Sequence, residues 1–315
     1  MDICTAYDLA NAYYGLFKDR DYLELMYSIL DQVLNNSNSF DVKTFIARTF
    51  ASDHDKAVFH LNIEIAYSHA RLWETSKALE ILSQVSSMIK GDKVLKMYYN
   101  DVLAEVYIIR NQRDLAIEVL KAASALDADT QSCEHIGTHL LWNLERLKQL
   151  AKSYFVNGLV NQAKKTFRES LRIAHDIYGY ESQHKDVAQI YLNLAYTTIK
   201  QKNLLKAKDY LEQTKMMMSR NNTQYEIVFL FHLHSSDLMI AQEDYKSALQ
   251  YLYELIKIVG EWSDNGRHPF DSGKVYLRMG KCYLNLGKIA AAERNLLLSR
   301  NYFDKADDQD REATG

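Results

Sequence analysis

Residues 133–139 read CEHIGTH, the first place to look for a metal. On a helix His135 and His139 are four apart and share a face, which suits two imidazoles on one zinc ion. Spacing positions no third ligand, since Cys133 falls on another face, and HExxH is absent. A surface pair near a helix start is the expectation, and no metal site is assigned. His232 and His234 are two apart, so they lie on different faces of one helix. DADTQSCE at 127–134 lacks the glycine and spacing of a calcium loop. Without GxxxxGK[ST] or GxGxxG, no phosphate cradle is expected. The methionines after Lys215 read as packing material. No Ser/His/Asp or Cys/His set is united by spacing. The chain is therefore expected to be no enzyme and to need no cofactor.

Binding is the remaining chemistry, and the totals say which elements would present it. The 315 residues are 47% apolar and 25% charged, the balance of a globular chain with room for a large core or two domains. One proline and 11 glycines are too few for the turns that sheets need, so an all-α chain with short connections is expected. A net charge of −3 gives no basic footprint for nucleic acid. Cys4, Cys133 and Cys282 are few and far apart, which fits a reducing, cytoplasmic setting. The opening MDICTAYDLANAYYG lacks a basic n-region before an apolar run, so no signal peptide is expected. No apolar run is long enough to suggest a membrane span.

A repeated frame organises the chain. In YLRMGKCYLNLGKIAAAERNLLLS (276–299), Gly280 is followed by Tyr283 three residues later and Ala292 twelve later. The frame recurs as Ala195 with Ala207, Ala151 with Ala163, Ala104 with Ala116, Ala66 with Ala78, and Ser236 with Ala248; a weaker copy lies in 9–29. Small residues at these two places let two helix backbones approach where they cross. Gly280 and Ala292 would thus face each other across a hairpin, with Gly287 in its turn.

This frame resembles the tetratricopeptide repeat (TPR), with a small eighth residue, an aromatic near the eleventh, alanine at the twentieth and a large twenty-fourth. The alanines 78, 116, 163, 207, 248 and 292 are separated by 38, 47, 44, 41 and 44 residues, against about 34 for a standard repeat. Such stretched repeats are similar to those of kinesin light chains and of the Gram-positive peptide-pheromone receptors (the Rap, PlcR and NprR group). The resemblance implies a right-handed superhelical solenoid of about seven helix hairpins. They are expected at 5–18 with 21–35, 57–71 with 75–88, 93–109 with 112–126, 136–157 with 160–178, 184–201 with 204–219, 223–242 with 245–261, and 271–286 with 289–304. Residues 1–56 read as a less regular N-terminal part with an extra short helix at 40–51, residues 57–304 as six repeats, and 305–315 as a charged, frayed tail. Ser52 is the expected cap of the next helix, and 263–273, with Pro269, the clearest loop.

The resemblance also implies a concave groove lined by the first (A) helix of each hairpin. Carried over position by position, its lining includes Tyr67, Arg71, Tyr98, Asp101, Glu105, Lys148, Lys152, Gln189, Asn193, Tyr196, Lys200, His234, Asp237, Lys274, Arg278 and Lys281, with His60, Glu64, Glu145, Gln149 and Asn285 beside them. Asn and Gln amides bond both backbone donors and acceptors, and Lys and Arg pair with carboxylates. Asn193 resembles the backbone-gripping asparagine of the stretched-repeat families. Acids come early (Glu64, Asp101, Glu105) and cations late, so a ligand with its acidic end toward the C-terminal repeats is expected. The family's carboxylate clamp is split: Leu230 and His234 stand where Lys and Arg belong in one set, and Leu192 and Tyr196 break the other.

The expected function is non-catalytic capture of a short peptide or protein segment, as in an intracellular signalling-peptide receptor or regulator. No helix-turn-helix is found in residues 1–56. A structural scaffold for a large folded partner is the alternative, and a nucleic-acid-binding regulator fits the mild acidity less well. Edge repeats leave apolar faces that would allow a homodimer.

Overall fold

The computed structural model describes residues 2–15, 19–50, 52–129, 136–218, 225–261 and 268–314, with only the backbone for helical residues 11–15, 19, 127–129, 136–139, 261, 268 and 306–314. Every regular element among them is helical. The helices are α1 (Ile3–Gly15), α2 (Asp19–Asn35), α3 (Phe40–Phe50), α4 (His54–Arg71), α5 (Thr75–Val85), α6 (Lys93–Ile109), α7 (Arg113–Asp129) and α8 (Ile136–Val156). They continue as α9 (Val160–Tyr178), α10 (Lys185–Lys200), α11 (Leu204–Met218), α12 (Tyr225–Ala241), α13 (Tyr245–Glu261), α14 (His268–Asn285) and α15 (Ile289–Thr314). Two compact units result, residues 1–136 and residues 137–313.

One turn is built six times. In each hairpin from α4–α5 to α14–α15, a left-handed residue ends the A helix: Trp73, Asn111, Gly158, Lys202, Glu243 and Gly287. The N–H of the next residue (Glu74, Gln112, Leu159, Asn203, Asp244, Lys288) then donates five residues back, to His69, Tyr107, Tyr154, Thr198, Met239 and Tyr283, at 2.8–3.0 Å. This closure satisfies carbonyls that a helix end leaves open. The same residue's carbonyl accepts from the marker alanine (78, 116, 163, 207, 248 or 292), opening the second helix. The repeat frame therefore marks both the crossing and the turn.

The crossings are tight. The six marker alanines are buried, as are Ala66, Ala104, Ala151, Ala195, Ser236 and Gly280 opposite them. A Cβ on Gly280 would lie 2.7 Å from Leu296 Cγ and 3.4 Å from the Ala292 carbonyl, so this is the close approach that the glycine permits. Gly287, at φ +72°, sits in the left-handed region that glycine adopts without a Cβ penalty.

In the first unit, α1 to α4 share a core built on Ile3, Met26, Ile29, Phe45, Leu61 and Ile65. In the second, Leu192, Ala195, Leu211 and Phe231 join α10, α11 and α12. Phe229, Leu252, Val275 and Met279 do the same for α12 to α14. Met217 and Met218 pack against the α10–α12 core, as expected of filler, whereas Met216 is half exposed.

Several boundaries differ from the sequence reading. Asp53, rather than Ser52, caps α4: its side chain accepts from Lys56 N–H, while Ser52 takes φ 68°. The helix expected to reach residue 88 ends at Val85 in a 3-10 turn, 86–88. Pro269 belongs to the first turn of α14, where its missing N–H has no intrahelical partner to lose. Residues 305–314, read as frayed, continue α15.

Candidate functional site

Acidic residues open three successive A helices of the second unit: Asp186 in α10, Glu226 in α12 and Asp271 in α14. An acid suits the positive end of the helix dipole. Each is also tied to the A helix before it. Lys148 Nζ donates to Asp186 Oδ1 at 2.9 Å, Gln189 Nε2 to Glu226 Oε1 at 3.0 Å, and Tyr225 Oη to Asp271 Oδ2 at 3.2 Å. A first-turn acid is a sequence signal; its bond to a donor one repeat earlier is not.

These ties engage several of the groove candidates. Lys148 is buried and also donates to Glu145 Oε2 at 2.7 Å. Burial opposes its charge, but Glu145 and Asp186 outweigh this and raise its pKa. Asp186 further accepts from Tyr178 Oη at 2.9 Å, and the Tyr178 ring stacks on His184, with centroids 3.7 Å apart. Lys274 donates to Asp271 Oδ1 at 3.2 Å and lies 4.3 Å from the Phe270 ring centroid.

Further along the A helices, rings and charges run from α8 to α14. Phe155 meets Tyr196 at 5.0 Å between centroids, and Tyr196 stacks on His234 at 4.6 Å. Lys200 Nζ lies 5.1 Å from the Tyr196 centroid. His234 Nδ1 faces Asp237 Oδ2 at 3.5 Å, a long contact. Arg278 grips Asp237 at two points, Nε to Oδ1 at 2.8 Å and Nη2 to Oδ2 at 3.0 Å. Burial lowers the pKa of His234, against the pull of Asp237. Burial alone would raise the Asp237 carboxyl, but His234 and the Arg278 guanidinium hold it at about 2. Phe155 was absent from the sequence-read lining, although it sits four residues after Ala151 in the frame.

Gln149, Asn193, His234 and Arg278 occupy the same place in four successive repeats, two residues before the small marker of each A helix. Two of them keep a buried polar atom without a partner among the described residues, Gln149 Oε1 and Asn193 Nδ2, while His234 Nδ1 faces Asp237 Oδ2. Buried polar atoms are normally satisfied, so open ones at equivalent places in consecutive repeats stand out on this face. Lys152, Lys200 and Lys281 stand exposed on the same face, a turn or two further along α8, α10 and α14.

The first unit holds Tyr67, Arg71, Tyr98, Asp101 and Glu105. Tyr98 and Asp101 are buried, and the Arg71 guanidinium carbon lies 6.0 Å from the Tyr67 centroid. Of the early acids, Glu64 accepts from Tyr22 Oη of α2 at 3.0 Å, and burial raises its pKa. Tyr27 Oη meets His69 Nε2 at 2.8 Å, His69 Nδ1 meets Glu74 Oε2 at 2.6 Å, and His54 Nε2 meets the Val33 carbonyl at 3.2 Å, so side chains at several points tie α2 to α4.

Cys133 and His135 lie outside the described residues, as does the His139 side chain. Among the described residues, no group of three His, Cys, Asp or Glu is placed to hold a metal ion. His232 and His234 do part company as their spacing requires, His232 toward Tyr251 of α13 and His234 toward Tyr196 of α10. No described helix is long and apolar enough to cross a membrane.

The hairpins, their shared turn and the small-residue crossings define a TPR-like helical repeat fold. No protein-family model matches the chain, and no curated protein does. Among solved structures it is similar to the apo form of the quorum sensor NprR from B. thuringiensis, with TM-score 0.64 and 14% identity over 96% of this chain and 83% of that one. It is similar to the apo form of RapI, at 0.60 and 10% over 98% of this chain and 100% of that one. A chain of the APC/C hetero-tetramer Cut9–Hcn1 matches at 0.56 and 15%, over 94% of this chain. The chain spans about half the length of that last one, 49%. At these identities the likeness establishes the fold.

Proposed function

We propose that the chain is a non-catalytic binding module whose A-helix groove captures an extended peptide or a partner's segment, as a cytoplasmic signalling-peptide receptor does. The pair Gln149 and Asn193 carries this reading. Each presents a buried polar atom with no partner among the described residues, at one place in consecutive repeats. An extended backbone offers donors and acceptors along its length, and two side-chain amides can meet both kinds. Phe155, Tyr196 and His234 add flat ring surface beside the pair. The likeness to a quorum sensor supports the same reading. Unpaired Cys4 and Cys282 fit a reducing compartment.

The test is thermal unfolding of the full chain with and without pools of short synthetic peptides. A ligand at about 100 times its Kd stabilises the folded state by about 2.7 kcal/mol, which raises the midpoint. No shift with any pool would remove the reading.

A second reading, a scaffold subunit for a folded partner, is favoured by Leu284, Ile289 and Leu297, exposed along α14 and α15. It expects stabilisation by that whole partner and none by short peptides.

A further inference from the structure

We infer that the groove of the second unit takes an acidic peptide, one whose carboxylates seat on Lys152, Lys200 and Lys281. This rests on the peptide-binding reading and adds the ligand's charge. The A-helix face carries six cations from the lining, and three are already matched. Lys148 meets Glu145 and Asp186, Lys274 meets Asp271, and Arg278 meets Asp237. Lys152, Lys200 and Lys281 form no ion pair with any described residue. Lys200 Nζ lies 5.1 Å from the Tyr196 ring centroid, and the residue is exposed.

Their placement is uneven along the helices. Glu145, Lys148, Asp186, Gln189, Glu226, Asp271 and Lys274 all precede the marker residues of their A helices, where charges of both signs meet. Beyond the marker residues of the second unit, toward the C-terminal ends, Asp237 is the one acid among the lining residues, and Arg278 holds both of its oxygens. The partial negative charge at helix C-termini works against an anion there, and Lys200 in the last turn of α10 offsets it. A ligand carboxylate thus finds unmatched ammonium groups within a turn or two of the open Gln149 and Asn193 amides. A ligand lysine finds only carboxylates already in ion pairs, save Glu226, which the Gln189 amide engages.

The experiment compares two fluorescein-labelled degenerate pools of about nine residues, identical except for three fixed positions that are Asp in one and Asn in the other. Binding is followed by anisotropy with the full chain, the triple variant Lys152→Gln/Lys200→Gln/Lys281→Gln and Asn193→Ala. The Asp pool is expected to bind the parent chain about tenfold tighter, with the preference lost in the triple variant and in about 0.5 M salt. Asn193→Ala should weaken both pools alike. Equal binding of the two pools, or a preference that survives in the triple variant, overturns the acidic ligand. If both pools then weaken with Asn193→Ala, the groove reading still stands. Binding of neither pool removes both.

Discussion

Arg278 of α14 holds Asp237 of α12 through two parallel hydrogen bonds, 2.8 and 3.0 Å, with both side chains largely buried. The pair joins A helices of consecutive hairpins. Removing one partner strands the other charge, which typically costs about 3–5 kcal/mol. Arg278→Met and Asp237→Leu should each lower the urea midpoint strongly, and the double variant should recover much of the loss. Equal, additive losses in the two single variants would mean that the pair is not coupled.

The same pair sets a pH window. The folded Asp237 carboxyl titrates at about 2, below its ordinary 3.8. A depressed carboxylate contributes stability above its unfolded pKa and loses it as pH falls through the folded one. Stability should therefore drop between about pH 4 and 2, and drop less in the Asp237→Leu/Arg278→Met double variant. Urea titrations at several pH values read both slopes.

Lys148 looks like a ligand contact in the sequence and behaves as a tie in the structure. Buried between Glu145 and Asp186, it links α8 to the first turn of α10. Lys148→Met keeps most of the stem's packing but leaves Asp186 with Tyr178 and His184 only. A loss of about 3 kcal/mol is expected, partly restored by Asp186→Asn in the same chain. Unchanged thermal stability of Lys148→Met would show that the bond does not hold the repeats together.

Asn193 should behave in the opposite way. Its Nδ2 is buried without a partner, so truncation removes an unsatisfied group instead of a bond. Asn193→Ala is expected to leave the melting temperature unchanged or slightly raised. It should weaken peptide binding about tenfold, the worth of one buried hydrogen bond. Calorimetry and anisotropy on the same protein separate the two effects. A clear fall in stability would make Asn193 a structural residue.

The contrast between Lys148 and Asn193 shows where sequence reading stops. Small residues at fixed spacing disclose the hairpins because the requirement is local and steric: Ala163 and Gly158 must be small or left-handed whatever surrounds them. The charge state of the groove is set across repeats. Lys148 reaches Asp186, 38 residues on, and Arg278 reaches Asp237, 41 residues back. Only stacking at a particular offset brings those pairs within 3 Å, and an isolated frame cannot report the offset. Pro269 misled for a different reason, since a proline marks loops and first helical turns alike.

His60 offers a test in the first unit. Its ring stacks on Phe50 at 5.6 Å and meets Tyr98 edge-on at 5.1 Å. Burial, aided by the nearby Lys56 charge, lowers its pKa from 6.5 to about 4. Between those values the unfolded chain takes up a proton that the folded chain refuses. Stability must therefore fall as pH drops from about 6.5 toward 4, a window above that of Asp237. His60→Phe keeps an aromatic ring against Phe50 and removes the titration. Its urea midpoint should change less between pH 7 and pH 5 than the parent's. If the two chains lose stability in parallel over that range, the proton enters elsewhere, and His60 is not the group that the folded first unit keeps neutral.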